Sequence, residues 1–178
     1  LRRITEAGTR LFIAHGYEAT TLDAIAAEAG ISRRTFFHYF KSKDEILLAM
    51  QAGLGDLLSA ALALESRDQR PIDAVRKALV RISDAYDPGE MLILDRVMRS
   101  SEAVLARKQA SYVQHEATLF AALRALWPEA ERETGLRLVA MMSIGALRLS
   151  LEAFNREEGR RPIAALLNEA FDALDTEV

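Results

Sequence analysis

The segment ISRRTFFHYFKSKDEI, Ile31 to Ile46, brings Arg33, Arg34, His38, Lys41 and Lys43 together with Phe36, Phe37, Tyr39 and Phe40. Cations interleaved with aromatic rings suit a polyanion. Guanidinium and ammonium groups meet phosphate, an arginine fork fits a guanine edge, and a ring offers apolar contact to a base or sugar. No other constellation in the chain competes with this one. Its 178 residues contain no cysteine, which removes disulfides, thiolate nucleophiles and zinc–thiolate sites. His15, His38 and His115 lie far apart, without a carboxylate at metal-ligand spacing. The paired acids Glu157 and Glu158 fall in a charged loop, and no glycine-rich phosphate loop or nucleophile motif is present. The sequence therefore offers no catalytic residue, no metal site and no cofactor.

The net charge of −3 conceals an uneven distribution. Residues 1–46 carry seven Lys/Arg against six Asp/Glu, and residues 47–178 carry sixteen against twenty. Docking responds to the local field more than to the total. No signal peptide is legible, and the apolar runs are far shorter than a membrane span, so a cytoplasmic protein with no membrane partner is expected.

The elements that must position these residues are helical. Apolar residues recur at helical spacing and no period-2 run appears, which predicts an all-α fold of about nine helices. The first, Arg2–His15, turns Ile4, Ala7, Leu11 and Phe12 to one side and stops at Gly16. Thr20 or Thr21 caps a second, with Leu22, Ile25 and Ala26 inward. Ser32 caps a third, Arg33–Tyr39, and a long fourth starts near Ser42 and carries Ile46, Leu47, Met50, Leu54 and Leu57. Further helices are expected over Ile72–Ala85, Met91–Arg99, Glu102–Leu126, Glu131–Phe154 and Ile163–Leu174, with Pro88 and Gly89 in a turn.

Helix, Ala26, Gly30, capped helix is the spacing of a helix-turn-helix. A small residue at Ala26 lets the two helices cross closely, Gly30 turns the chain, and Ile31 fills the angle between them. The stretch TTLDAIAAEAGISRRTFFHYFKSKDEIL, Thr20 to Leu47, preceded by ITEAGTRLFIAHGY, resembles the TetR family of transcriptional regulators. The resemblance covers the whole DNA-binding unit of that family; beyond it, length and helical layout are merely consistent. It implies a three-helix DNA-binding domain at residues 1–46, joined through a long fourth helix to a ligand-binding and dimerisation bundle at 47–178. It also implies a palindromic double-stranded operator, a hydrophobic small-molecule effector, a homodimer formed through the last two helices, and repression relieved by the effector. The alternative is a dimeric ligand-binding or protein-interaction module whose DNA-binding head is weak.

Carried over residue by residue, the resemblance places Ser32, Arg33, Arg34 and Thr35 at the start of the recognition helix, with His38 and Lys43 toward phosphate. Thr20 and Thr21 match a threonine pair, one capping and one available to phosphate. Phe37 stands where the family often has a tyrosine, so it has no hydroxyl to give a phosphate, and Arg34 replaces a residue that is often glycine. Phe36 and Phe40 are expected to face the core. In the second half, Met91, Leu94, Met98, Leu105, Tyr112, Leu119, Met141 and Phe154 are the candidates to line an apolar cavity, with Arg96 and Arg99 near an anionic head group. The helix around residues 131–154 is apolar on more than one side, which calls for a partner. Val139, Ser143, Gly145, Leu147, Leu166, Ala170, Phe171 and Leu174 are the expected dimerisation residues.

Overall fold

Helical periodicity is realised along the whole chain. The structure, a computed structural model, describes residues 2–99 and 102–177; the side chains of Met50, Gln51, Ala52, Ala103 and Arg107 lie outside the description, and with them the expected inward place of Met50. Among the described residues every regular element is a helix: α1 Arg2–His15, α2 Leu22–Glu28, α3 Arg33–Tyr39, α4 Lys43–Leu62, α5 Pro71–Ser83, α6 Pro88–Arg99, α7 Glu102–Leu126, a 3₁₀ turn Ala130–Arg132, α8 Glu133–Arg156 and α9 Ile163–Glu177. Pro88 opens α6 instead of marking a turn before it, and Pro71 opens α5 behind Arg70. Proline has no N–H to lose in the first turn and its φ already suits a helix.

Packing divides the chain into two compact units, Leu1–Gly53 with Glu90–Ser111, and Leu54–Gly89 with Tyr112–Val178. Packing does not follow the boundary expected at residue 46. In the first unit Ile4, Ala7 and Phe12 of α1, Ile25 and Ala26 of α2, Phe36 and Phe40, and Ile46 and Leu47 of α4 form one core, to which Val97 and Val104 also belong. Helices α6 and the start of α7 are thus tied to the N-terminal helices by apolar burial. A buried carboxylate joins them to each other: Asp95 accepts from Lys108 Nζ at 2.7 Å and from Arg99 Nε at 2.5 Å. Burial alone would push the Asp95 carboxyl up; the hydrogen bonds and charges of Lys108 and Arg99 outweigh it and hold the carboxyl below its usual range.

The second unit is built on α5, α8 and α9. Ala74, Val75, Ala78 and Leu79 of α5 are buried, as are Leu136, Ala140, Ser143, Ile144 and Leu147 of α8 and Ile163, Leu166, Leu167 and Phe171 of α9. Charged side chains stitch the edges. Arg76 donates to Asn168 at 2.7 Å and to Asp172 at 2.6 Å, and Arg161 bridges Glu157 and Glu169. Trp127 is buried with its indole N–H donating to Arg67 O at 3.3 Å.

The expected dimerisation residues divide by burial. Ser143, Leu147, Leu166 and Phe171 are buried inside their own unit. Val139, Gly145, Ala170 and Leu174 are only partly covered. The apolar row that α8 leaves outward is Leu138, Met141 and Leu149, about half exposed each, with Met142 and Gly145 between them. Two stretches, Lys43–Leu62 and Ala130–Arg156, also prove long and apolar enough to cross a membrane, each with mean hydropathy 1.3. Reading only uninterrupted apolar runs missed them, because glycine, serine and alanine dilute hydropathy without abolishing it. In both, about two fifths of the span is already buried by the protein's own packing (40% and 39%).

Candidate nucleic-acid interface

Three short segments set the geometry of the first unit's exposed helix. Thr21 is the N-cap of α2, its hydroxyl accepting from Ala24 N–H at 3.1 Å. The helix ends in paired reverse hydrogen bonds, Ile31 N–H to Ala26 O at 3.0 Å and Gly30 N–H to Ala27 O at 2.9 Å, with Gly30 at φ 66°. Arg3 of α1 reaches across and donates to Ala29 O at 2.7 Å, satisfying a further carbonyl at that end. Ser32 then caps α3, its hydroxyl accepting from Thr35 N–H at 3.1 Å.

A seven-residue helix buries little, so its placement rests on a few side chains. Phe36 is fully buried and Phe40 nearly so, their ring centroids 6.0 Å apart, as expected from sequence. Outward stand Arg33, Arg34, Thr35, Phe37, His38 and Tyr39, all exposed. Arg34, Thr35, Phe37, His38 and Tyr39 line an open concavity of about 520 Å³. The helix carries no acidic residue. Arg34 makes no ion pair or side-chain hydrogen bond among the described residues, whereas Arg33 lies 3.3 Å from the Asp23 carboxylate and its guanidinium sits 5.6 Å from the Phe37 ring centroid.

Two expected phosphate contacts are otherwise engaged. Thr20 is buried and its hydroxyl donates to Gly16 O at 2.7 Å, so of the threonine pair one caps and the other ties the α1–α2 turn. Lys43 is half-buried; its ammonium donates to Tyr17 O at 2.8 Å and lies 4.3 Å from the centre of the Tyr17 ring. The Tyr17 hydroxyl donates to Asp44, and the phenol is pushed well above its ordinary value, by burial first and then by that carboxylate. Ser42 accepts from Glu45 N–H at 3.3 Å, and Glu45 accepts from Lys41 N–H at 2.6 Å, which fixes the start of α4. Sequence reasoning missed Arg3, Tyr17 and Asp23. Their partners lie ten to twenty-seven residues away, and a charged or aromatic residue on a short helix signals nothing by itself.

The expected effector residues fall in different units. Met91, Leu94, Met98 and Leu105 belong to the first, where Met98 packs on the core around Phe36. Tyr112, Leu119 and Phe154 are buried in the second, and Met141 stands outward on α8. Of the two arginines expected near an anionic head group, Arg99 pairs with the Asp95 carboxylate. His115, not singled out from sequence for this role, is buried with its ring 6.4 Å from Tyr112, and burial pushes its pKa down.

A short capped helix on a three-helix core, with its exposed face cationic, defines a helix-turn-helix head. Residues 4–50 match the family model described as bacterial regulatory proteins, tetR family. Among known proteins, the chain is 33% identical over 81 residues to the HTH-type transcriptional regulator TcmR of Streptomyces glaucescens, covering 46% of this chain and 36% of TcmR. The chain thus spans about a third of that relative's length. Among solved structures, it resembles SmeT, the repressor of the Stenotrophomonas maltophilia multidrug efflux pump SmeDEF, with TM-score 0.63, 23% identity and coverage of 97% of this chain and 86% of that one. It also resembles Thermus thermophilus FadR in complex with lauroyl-CoA, with TM-score 0.60, 23% identity and coverage of 97% and 92%. The family match thus covers the N-terminal head, residues 4–50, and the likeness of the remainder to these solved structures is one of fold.

Proposed function

We propose that this protein is a sequence-specific DNA-binding transcriptional regulator, a repressor that leaves its operator when a hydrophobic small molecule binds. The observation that carries the reading is the exposed face of α3, where Arg34, Thr35 and His38 line an open concavity and Arg33 stands beside them, on a helix held from below by Phe36. Exposed cations on a helix that can enter the major groove are what base-edge and phosphate contacts require. In this reading residues 1–46 are the DNA-binding domain and 47–178 the sensing and dimerisation domain. Two copies associate through α8 and α9, the outward row Leu138, Met141 and Leu149 forming the apolar centre. The matching half-sites make the operator palindromic. Tyr112, Leu119 and Phe154 are proposed to meet the effector, with neutral His115 as a polar group beside them. Work on operator DNA places the protein in the cytoplasm.

The test is a gel shift on the DNA upstream of the protein's own gene, in excess non-specific duplex and over a range of salt. A discrete complex that resists competitor, and whose log affinity falls linearly with log salt, is expected. Binding indifferent to sequence would overturn the reading and favour the module with a weak head. Repression itself is read from a reporter behind the same DNA, whose expression rises on deletion of the regulator. The effector is recognised as a hydrophobic compound that raises the melting temperature and weakens the complex.

A further inference from the structure

The two arginines that open α3 are neighbours in sequence and differ in everything else. Arg33 is tied to both helices of the helix-turn-helix. Its Nη1 donates to Asp23 Oδ2 at 3.3 Å and its Nε lies 3.3 Å from Oδ1, and Asp23 belongs to the first turn of α2. On its own helix, four residues on, the Phe37 ring lies beneath the guanidinium at 5.6 Å. Phe37 is in turn propped edge-on against the fully buried Phe36, ring centroids 5.7 Å apart at 85°. A path of contacts therefore runs from the core through Phe36 and Phe37 to Arg33, and a second reaches Arg33 from α2. Arg34 has neither support.

We propose that Asp23 and Phe37 are positioning residues which hold the Arg33 guanidinium in place to read a base edge, so that Arg33 carries sequence discrimination while the unsupported Arg34 supplies salt-dependent affinity. The inference rests on the DNA-binding reading above and assigns a division of labour within it. An arginine side chain has many rotamers, and restricting them before binding lowers the entropic cost of the bidentate geometry a guanine requires. Both supports are exposed, the Asp23 side chain at 61% and Phe37 at 41%, so each is a weak, reversible guide. That suits the task, since Arg33 must exchange part of its contact with Asp23 for the base. It also gives Phe37 a role that needs no hydroxyl: the ring acts through Arg33. Asp23 is a costly neighbour for phosphate, a repulsion offset by its place in the first turn of α2 and by its hold on Arg33.

The experiment selects bound duplexes from a library with a randomised core, using wild-type protein and the variants Arg33→Ala, Arg34→Ala, Asp23→Asn, Phe37→Ala and Phe37→Tyr, each first checked for an unchanged melting transition. Arg33→Ala is expected to erase the preference at one or two positions of each half-site, a loss of roughly 5- to 150-fold in discrimination. Asp23→Asn and Phe37→Ala are expected to blunt the same positions by about two- to fivefold and to leave the others intact. Phe37→Tyr retains the ring and the preference. In the Arg33→Ala background neither Asp23→Asn nor Phe37→Ala changes the pattern further, an outcome that a merely structural role would not produce. Arg34→Ala weakens all sequences together and flattens the salt dependence. If the wild type enriches no motif, the proposed function falls and the positioning with it. If the wild type enriches a motif that Asp23→Asn and Phe37→Ala leave unchanged, or if Arg34→Ala is the variant that erases a base preference, the positioning falls and the regulator stands.

Discussion

Two of the concavities among the described residues contain cations and use them in opposite ways. The one on α3, lined by Arg34, Thr35, Phe37, His38 and Tyr39, has no carboxylate in its lining. The other, about 390 Å³ along α5 and Asn168, is lined by Gln69, Asp73, Arg76, Lys77, Val80 and Asn168. There Arg76 is satisfied by Asn168 and Asp172, and Lys77 donates to Gln69 at 2.6 Å. Cations count alike in a composition table, but a compensated arginine presents no net field to an anion. In the second unit Arg70, Arg81 and Arg161 likewise each meet carboxylates. The exposed pairs add little stability individually. On α3, by contrast, Arg34 makes no ion pair among the described residues, and its charge remains available.

The sharpest way to break that comparison is to separate support from contact on α3 itself. Phe36 is fully buried and Phe37 is 41% exposed. Phe36→Ala is expected to cost about 3–5 kcal/mol, enough to unfold the head, and Phe37→Ala well under 1 kcal/mol. Thermal denaturation followed by circular dichroism reads both. Equal losses would mean that the exposed ring is structural and that α3 has no face reserved for a partner.

Next in size is the outward row of α8. Leu149 is 58% exposed and Leu147 6%. Leu149→Asp is expected to split the proposed dimer, weakening association by about 2 kcal/mol or more, with helical content preserved. Leu147→Asp should instead unfold the bundle, since it buries a charge without a partner. Sedimentation and circular dichroism distinguish the two. A dimer that survives Leu149→Asp would place the interface elsewhere.

These two residues also show what a sequence can and cannot disclose. The head was legible to the residue at α1 and α3, because Gly16, Gly30 and Ser32 announce turns and caps through their own backbone chemistry. Phe36 and Phe40 were legible as core for the same reason: a seven-residue helix has few ways to hide two rings. Helix α8 was not legible in this way. Its apolar residues cover more than one face, and periodicity gives the faces without saying which one α5 and α9 take. Ser143 and Leu147 were assigned outward on that ambiguity and turn out buried. The threonine pair fails differently. Thr20 and Thr21 have the same chemistry, and only the backbone at Gly16 decides which hydroxyl points inward. Pairings such as Arg76–Asp172 join residues ninety-six apart and leave no local trace.

Smaller again is a pH effect confined to the second unit. Burial depresses His115 below the ordinary imidazole value of 6.5, so the unfolded chain binds more protons than the folded one as pH falls past that value. Its contribution to stability is complete above pH 6.5 and declines as pH drops toward the folded pKa. The depressed carboxyl of Asp95 contributes in the other window: its stabilisation is present above the ordinary value of 3.8 and is lost below it, as pH falls through the folded pKa. Melting curves between pH 7.5 and pH 5 should therefore lose stability in the wild type and lose less in His115→Gln, compared with each protein's own value at pH 7.5. Parallel curves would mean that His115 stays solvated in both states.

The smallest effect concerns two helix ends that share one hydrogen-bond pattern. In the head, Ile31 N–H bonds to Ala26 O and Gly30 N–H to Ala27 O, with Gly30 at φ 66°. In the second unit, Gly159 N–H bonds to Phe154 O and Glu158 N–H to Asn155 O, with Glu158 at φ 51°. The left-handed position holds glycine in one and glutamate in the other. A side chain there costs about 1–2 kcal/mol, while glycine loses more backbone entropy on folding, worth about 0.5–1 kcal/mol. Glu158→Gly should therefore stabilise the bundle by about 0.5 kcal/mol, near the limit of a careful denaturant titration. Gly30→Ala should destabilise the head by more than that gain, because its Cβ would also lie 2.9 Å from Arg3 Nη2, the group that caps Ala29. If both changes moved stability by equal and opposite amounts, the Arg3 contact would contribute nothing, and the glycine of the DNA-binding turn would be there for its φ alone.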